Sequence, residues 1–335
     1  MKFSCDDLTA WCRDLLSASG VPEDQALRVA EVYLRATQRG LGHHDVSALP
    51  QRLGWLADGL VQPSCQPRPV WRAPAAEVWD ACGSLGEAAS LFILDRATSL
   101  ARNQGVGYAV IKASNHFLAA APYVELGAER GFMTLIWSST DAGMAVPGGT
   151  SRQIGNNPLG YAFPLEGGDS VQADLCLASS SLGKLQLLAE KEEPIPAHWG
   201  RAADGEPAKT AQELLKGGIE PIGGAKGYAL ALLGEILTGL LAGGATLGQI
   251  APNGGLNTHS QMVLAWNLEL LGGLDEAQKR AADFRTRAQG LGARLPGERS
   301  QNAAKMAGQE GVILTESALL SLKDWSLKLG VKARI

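Results

Sequence analysis

Residues 105–138, GVGYAVIKASNHFLAAAPYVELGAERGFMTLIWS, decide the fold. The stretch Gly107–Ala113 (GYAVIKA) is short, apolar and rich in β-formers, so it reads as a strand. Phe132–Ser138 (FMTLIWS) reads as a second, and the Ala-rich span Phe117–Arg130 between them as a helix. The same alternation extends outward. Upstream, Glu77–Ala81 (EVWDA) predicts a strand and Leu85–Asn103 a helix. Downstream, short strands are expected near Tyr161 and Val171, a long helix after Lys226 and a strand at Ala265–Leu270 (AWNLEL). Strands alternating with helices place the chain in the α/β class.

Helical segments flank this core. Ser4 and Asp7 form a capping box ahead of Leu8, Trp11, Cys12 and Leu15. Pro22 opens a second helix, with Ala26, Val29, Ala30 and Tyr33 on one side, that ends at Gly40. A third runs from about Asp45 with Leu49, Leu53 and Leu56 at helical spacing, and Pro50 falls in its first turns. The Pro-rich stretch from Pro63 to Pro74 marks a boundary, and Thr315 caps a helix carrying Leu319, Leu320 and Leu322. These divisions give an N-terminal helical segment at 1–70, an α/β core at 71–295 and a C-terminal helical segment at 296–335.

Bulk properties narrow the function. The 335 residues are 45% hydrophobic and 19% charged, an ordinary globular balance with room for a sizeable core. A net charge of −4 with no long basic run gives a nucleic-acid partner little support. The start, MKFSCDD, turns acidic at once, which argues against a secretory leader. Tyr228–Ala242 (YALALLGEILTGLLA) is too short and too interrupted to span a bilayer and reads as a buried helix. Five cysteines without a CxxC pair suit free thiols in a reducing, cytoplasmic compartment; Cys5 and Cys12, seven apart, share a helix face.

Reactive groups are few. The histidines are His43, His44, His116, His198 and His259; no HExxH pattern occurs, neighbouring His43 and His44 are expected to diverge, and no metal site is expected. The absence of a GxSxG elbow argues against a hydrolase. GVGYAV at Gly105 is the nearest approach to a Rossmann glycine pattern, but it follows a helix and precedes a strand, the reverse of what phosphate binding at a helix N-terminus requires. His116 follows a strand and precedes a helix, where α/β proteins place ligand groups; a capping role fits its position as well. His44 sits at a break between helices beside Asp45, a setting for acid–base chemistry or for a solvated loop. Asp174 ends an apolar strand and needs a partner. Lys226, among glycine pairs at a helix start, is either a phosphate or carboxylate contact or a solvated first-turn residue.

Taken in order, RGLGHHDV, ASNHF, GGTSRQIGNNPLGYAFP, ADLCLASSSLGK, PIGGAKGYALAL and LPGER resemble the malate/L-lactate dehydrogenase family, nearly end to end. That family includes 2,3-diketo-L-gulonate reductases, ureidoglycolate dehydrogenases and delta-1-piperideine-2-carboxylate reductases. The resemblance implies a non-Rossmann, mixed-sheet NAD(P)-binding core. It further implies a homodimer with the active site at the subunit interface, and hydride exchange with a small 2-oxo acid/2-hydroxy acid pair. On it, His44 is the proton donor or acceptor, Asp174 orients that histidine or the cofactor, and His116 is an acid–base or a cofactor contact. Thr140, Asn156, Asn157, Asp174, Leu175, Cys176, Lys226, Gly227, Gly297 and Glu298 then line the NAD or NADP. The chain departs from the pattern at His43, Asp45 and Ala48, where the family has Ser, Gly and a carboxylate-binding Arg. Two substitutes follow: Arg52, one turn beyond Ala48, grips the substrate carboxylate, or Asp45 recasts the pocket for a neutral or cationic substrate. Reduction of a cyclic imino acid is the alternative activity, and a non-catalytic dinucleotide-binding relative the alternative of another class.

Overall fold

The computed structural model describes residues 2–250 and 256–334. Seven strands form the central sheet: β1 (Arg68–Arg72), β2 (Ala76–Asp80), β3 (Val106–Ser114), β4 (Phe132–Ser138), β5 (Leu159–Pro164), β6 (Ser170–Leu175) and β7 (His259–Asn267). Their spatial order is β1-β2-β3-β7-β4-β5-β6. Only β2 and β3 run parallel; every other neighbouring pair is antiparallel, so the sheet is mixed.

Alternation along the strands divides their side chains between two layers. Ala109 and Ile111 of β3, Ile136 of β4 and Val263 and Ala265 of β7 join one core, packed under α4 (Gly86–Gln104) and α5 (Ala121–Glu129). Val110, Trp137 and Met262, one residue out of phase, join a second core on the opposite face. That second layer is built from 142–250, including α6 (Leu182–Glu190), α7 (Ala211–Lys216) and α8 (Ala225–Glu235).

The first core extends into α1 (Cys5–Ala18), α2 (Glu23–Gln38) and α3 (Leu49–Ala57), and into the last helix, α11 (Glu316–Leu329). Ser4 caps α1 by accepting the Asp7 amide at 3.0 Å, and Thr315 caps α11 in the same way through Ala318. Trp11 Nε1 donates to Ser326 Oγ at 2.7 Å inside the core, so the two terminal helical segments pack as one body. Between α8 and α11 lie β7, α9 (Leu274–Gly290) and α10 (Glu298–Glu310).

Three expectations are revised. The Pro-rich stretch is not a bare connector, because Arg68–Arg72 within it pairs antiparallel with β2 and forms a sheet edge. The helix read over Phe117–Arg130 begins only at Ala121. Leu118 lies at φ +77°, a left-handed conformation that no helix accommodates. Finally, the Tyr228–Ala242 stretch is not buried all round. Gly227, Ala231, Gly234 and Glu235 face the sheet, while Leu230, Leu233, Ile236, Leu240 and Leu241 are exposed.

Candidate active site

Three of the segments that line one cleft carry its histidines and Asp174. The first is the break between α2 and α3, two short 3₁₀ turns at Gly42–His44 and Val46–Ala48. The second is the loop 115–120 between β3 and α5. The third is the end of β6 and the segment after it, into the start of α6. The cleft has a volume of about 270 Å³ and is lined by His43, His44, His116, Thr140, Asn156 and Asp174 among others.

The imidazoles are close-packed. Ring centroids lie 4.0 Å apart for His43 and His44, and 5.4 Å apart for His44 and His116. The expected divergence of the adjacent pair does not occur: the two rings pack against each other, tilted by 55°. His43 packs on Gly183 at the start of α6, where an added Cβ would come within 2.7 Å of its ring carbons. Burial pulls the His44 pKa down to about 3, and the neighbouring His43 and Arg52 add to the effect. His116 is held well below its ordinary value by the same desolvation, reinforced by Arg52, His44, His259 and His43. Both rings are therefore neutral at pH 7.

The loop carrying His116 is clamped from behind. A Cβ at Gly86, the first residue of α4, would collide with the Asn115 and His116 carbonyl oxygens, so only glycine lets this helix approach so closely. Asn115 donates to Ser84 O at 2.7 Å and accepts from the Asn257 amide at 2.9 Å. Tyr123 OH donates to Phe117 O at 2.6 Å.

Asp174 accepts the Ala121 amide at 3.0 Å, at the first turn of α5, which places a carboxylate against the positive end of that helix. Crowding by protein raises its pKa; the Ala121 and Ala120 amides and Arg39 offset part of the rise. Asp174 lines the same cleft as His44, yet its hydrogen bond goes to the backbone and not to that imidazole. Thr140 Oγ1 donates to Asn156 Oδ1 at 2.8 Å, and Asn156 Nδ2 to Cys176 Sγ at 3.3 Å, forming a polar ledge along the same wall.

Other residues singled out from the sequence lie elsewhere. Arg52 does not line the cleft: its side chain is 4% exposed, pairs with Glu87 at 3.1 Å and reaches the back of His116. Asp45 uses its carboxylate to cap the next 3₁₀ turn, accepting the Ser47 amide at 2.8 Å. Both substitutes suggested for the missing family Arg are thus engaged in holding local structure. Asn157 is fully buried, with φ +32°, accepting from Thr140 N and donating to Ala231 O and Glu235 Oε1. It supports the ledge from beneath. Leu175 is exposed beside Asp174. Lys226 is exposed and Gly227 buried in the first turn of α8, where a Cβ on Gly227 would strike the Ile222 backbone. Gly297 caps α10 in a left-handed conformation against Gln172 of β6, and Glu298 lines a separate polar depression with Asp169, Arg285 and Lys305.

His43, Gly183 and Gln186 line the cleft but were not singled out as site residues. The doubled histidine and the glycine in SSSLGK were the available signals.

Comparison with known proteins agrees with this architecture. Residues 3–323 match the malate/L-lactate dehydrogenase family. The chain is 30% identical over 332 residues to a delta(1)-pyrroline-2-carboxylate reductase of Pseudomonas fluorescens, covering 96% of this chain and 98% of that protein. It is 29% identical over 331 residues to an L-sulfolactate dehydrogenase of Methanocaldococcus jannaschii, covering 95% and 94%. The solved structure of sulfolactate dehydrogenase from that organism superposes with a TM-score of 0.92 at 26% identity, over 99% of this chain and 98% of the other. A delta1-piperideine-2-carboxylate reductase structure from Pseudomonas syringae gives 0.87 at 26% identity, over 97% and 99%. The mixed sheet, the clustered imidazoles and a match over nearly the whole chain together make this protein a member of the malate/L-lactate dehydrogenase family.

Proposed function

We propose that the chain is an NAD(P)-dependent oxidoreductase that exchanges hydride with a small 2-oxo acid/2-hydroxy acid pair, with His44 carrying the proton. The observation behind this reading is the meeting of His44, His116, Asp174, Thr140 and Asn156 around one cleft. The residues present fit a nicotinamide. The Thr140–Asn156 ledge offers the neutral donors and acceptors that a carboxamide needs, and Gly143 leaves room above it. The cofactor, when bound, supplies or receives the hydride.

The chain's own groups do the rest. Hydride arrival leaves alkoxide character on the substrate oxygen, so a proton source must stand within hydrogen-bond reach. His44 serves there as imidazolium for reduction and as neutral imidazole for oxidation. Asp174, fixed on the helix N-terminus, offsets positive charge that forms on the imidazole across the cleft. Lys226, Gly227, Gly297 and Glu298 belong, on this reading, to the outlying part of an extended dinucleotide site.

Reduction of a cyclic imino acid is a second reading with its own support. Asp141 and Asp174 line the cleft, while among the described residues no Lys or Arg does. A cationic iminium suits that lining better than a bare dianion. A homodimer is supported by the exposed row Leu230, Leu233, Ile236, Leu240 and Leu241, an apolar strip of the kind that marks an interface. The five free cysteines fit a cytoplasmic setting.

The test is an absorbance assay at the reduced-nicotinamide band with NADH and NADPH. It offers lactate, malate, ureidoglycolate, diketogulonate and piperideine-2-carboxylate. Turnover of a hydroxy acid or its oxo form supports the leading reading, and turnover of the imine alone the second. Quenching of tryptophan fluorescence by cofactor without any turnover would favour a non-catalytic relative.

A further inference from the structure

We propose that Arg52 is a positioning residue that locks His116 as a neutral imidazole with its proton on Nε2, so that His116 donates a hydrogen bond into the cleft and never acts as the base. The inference rests on the reading of this cleft as a hydride-transfer site, and its geometry is independent of which substrate binds.

Arg52 Nη2 stands 3.0 Å from His116 Nδ1. The Leu118 amide stands 3.1 Å from the same nitrogen. A guanidinium and a backbone amide are donors only, so Nδ1 must offer its lone pair to both. The ring proton then resides on Nε2, the remaining polar atom of a ring that lines the cleft. Protonating Nδ1 would break both bonds and set an imidazolium against a guanidinium. Burial already disfavours that charged form.

The lock is itself held rigid. Arg52 Nε donates to Glu87 Oε1 at 3.1 Å, Nη1 donates to Gln51 Oε1 at 2.8 Å, and the guanidinium lies 5.1 Å from the Trp55 ring centre. Glu87, 1% exposed in the first turn of α4, also accepts from Tyr33 OH at 2.8 Å. Tyr33, Glu87, Arg52 and His116 thus form a chain from α2 through α4 and α3 to the cleft. Leu118, whose amide meets the ring, itself holds a left-handed φ of +77°. The charged and titratable groups around His116 are Arg52 from α3, His43 and His44 from the 3₁₀ turn and His259 from β7. All disfavour its protonation. The two cleft histidines consequently divide the work: His44 moves the proton and His116 orients the oxygen or nitrogen that receives it.

The test is ¹⁵N NMR of histidine-labelled full-length protein, with and without NADH, the His116 and His44 signals being assigned through His116→Gln and His44→Gln. In the unaltered protein His116 should show a protonated Nε2 and an unprotonated Nδ1, unchanged from pH 8 to about pH 5.5. Arg52→Met should raise the His116 titration by about one to three pH units, the range expected on removing a like charge at this distance. Arg52→Lys, which keeps a charged donor, should preserve the unaltered behaviour. Arg52→Gln, which keeps a donor without charge, should preserve the tautomer and raise the titration, and it serves if Arg52→Met does not fold. A wild-type Nδ1–H tautomer, a His116 titration near pH 6.5, or no change in Arg52→Met and Arg52→Gln would each overturn the proposal. Because these spectra need no turnover, a protein that shows the lock but reduces no substrate would refute the hydride-transfer reading alone.

Discussion

With His44 as the proposed proton carrier, its depressed pKa fixes which direction of the reaction carries the pH dependence. Reduction consumes one proton, so the ratio of kcat/KM for reduction to that for oxidation must change tenfold per pH unit. How the change is divided depends on the free-enzyme ionisation. With the His44 pKa near 3, four units below neutrality, only about one molecule in 10⁴ holds the imidazolium at pH 7. Oxidation, which needs the neutral ring, should therefore be flat from pH 5 to pH 9. Reduction should lose about tenfold with each rising unit over the same span. A histidine at its ordinary value would behave otherwise: oxidation would fall below about pH 6.5 and reduction would level off there. The assay is initial-rate kcat/KM in both directions at constant ionic strength, using whichever pair the substrate panel identifies. A break near pH 6.5 in the oxidation limb would refute the burial argument.

Further perturbations probe the frame. Gly86→Ala should destabilise the protein by about 1–3 kcal/mol and lower kcat, because its Cβ meets the Asn115 and His116 carbonyls; denaturant titration with kinetics on the same sample checks both. Asn157→Ala should cost about 2–4 kcal/mol by leaving the buried Thr140 amide and Glu235 carboxyl without this partner, read as a lower urea midpoint. Stability should also fall with acid. His116 has its folded pKa below its unfolded value near 6.5, so the unfolded chain binds more protons. Its stabilising contribution is complete above about pH 6.5 and declines below it, by up to about 2 kcal/mol at pH 5. Urea midpoints at pH 7.5, 6 and 5 would reveal the trend; unchanged midpoints would contradict it.

The strands β3 and β4 are legible as short apolar runs because both of their faces are buried, whereas β7 is His259–Asn267 and the sequence suggests only its end, at Ala265–Leu270. Ala109 and Ile111 against Val110, and Ile136 against Trp137, separate the two buried faces in the structure. Caps were equally readable at Ser4 and Thr315, where a side-chain oxygen meets an orphan amide. The α9 helix was not, since it buries little beyond Ala277 and Ala281, and so small a stripe among charged residues gives a faint period. Nor could spacing foresee that residues 115–120 forgo helix. That depends on contacts from α4, on Asn257 and on the left-handed Leu118, all remote in sequence or visible only in φ.

Within the site, the resemblance groups His44, His116, Thr140, Asn156 and Asp174, and these five line one cleft. It did not indicate that Arg52 stands behind His116 rather than in the cleft lining, paired there with Glu87 of another helix. Asp45 was misjudged for a related reason: a carboxylate two residues before an open amide is a capping group first.

The central claim is that the His44 imidazole hands the proton to the group receiving hydride. Single-turnover oxidation of bound NAD(P)H by the preferred substrate, in His44→Gln against the unaltered protein, addresses it most directly. Cofactor binding, followed by tryptophan quenching, should be unchanged while the hydride-transfer rate falls by about 10²–10⁴. Transfer at the unaltered rate with cofactor bound would contradict the account.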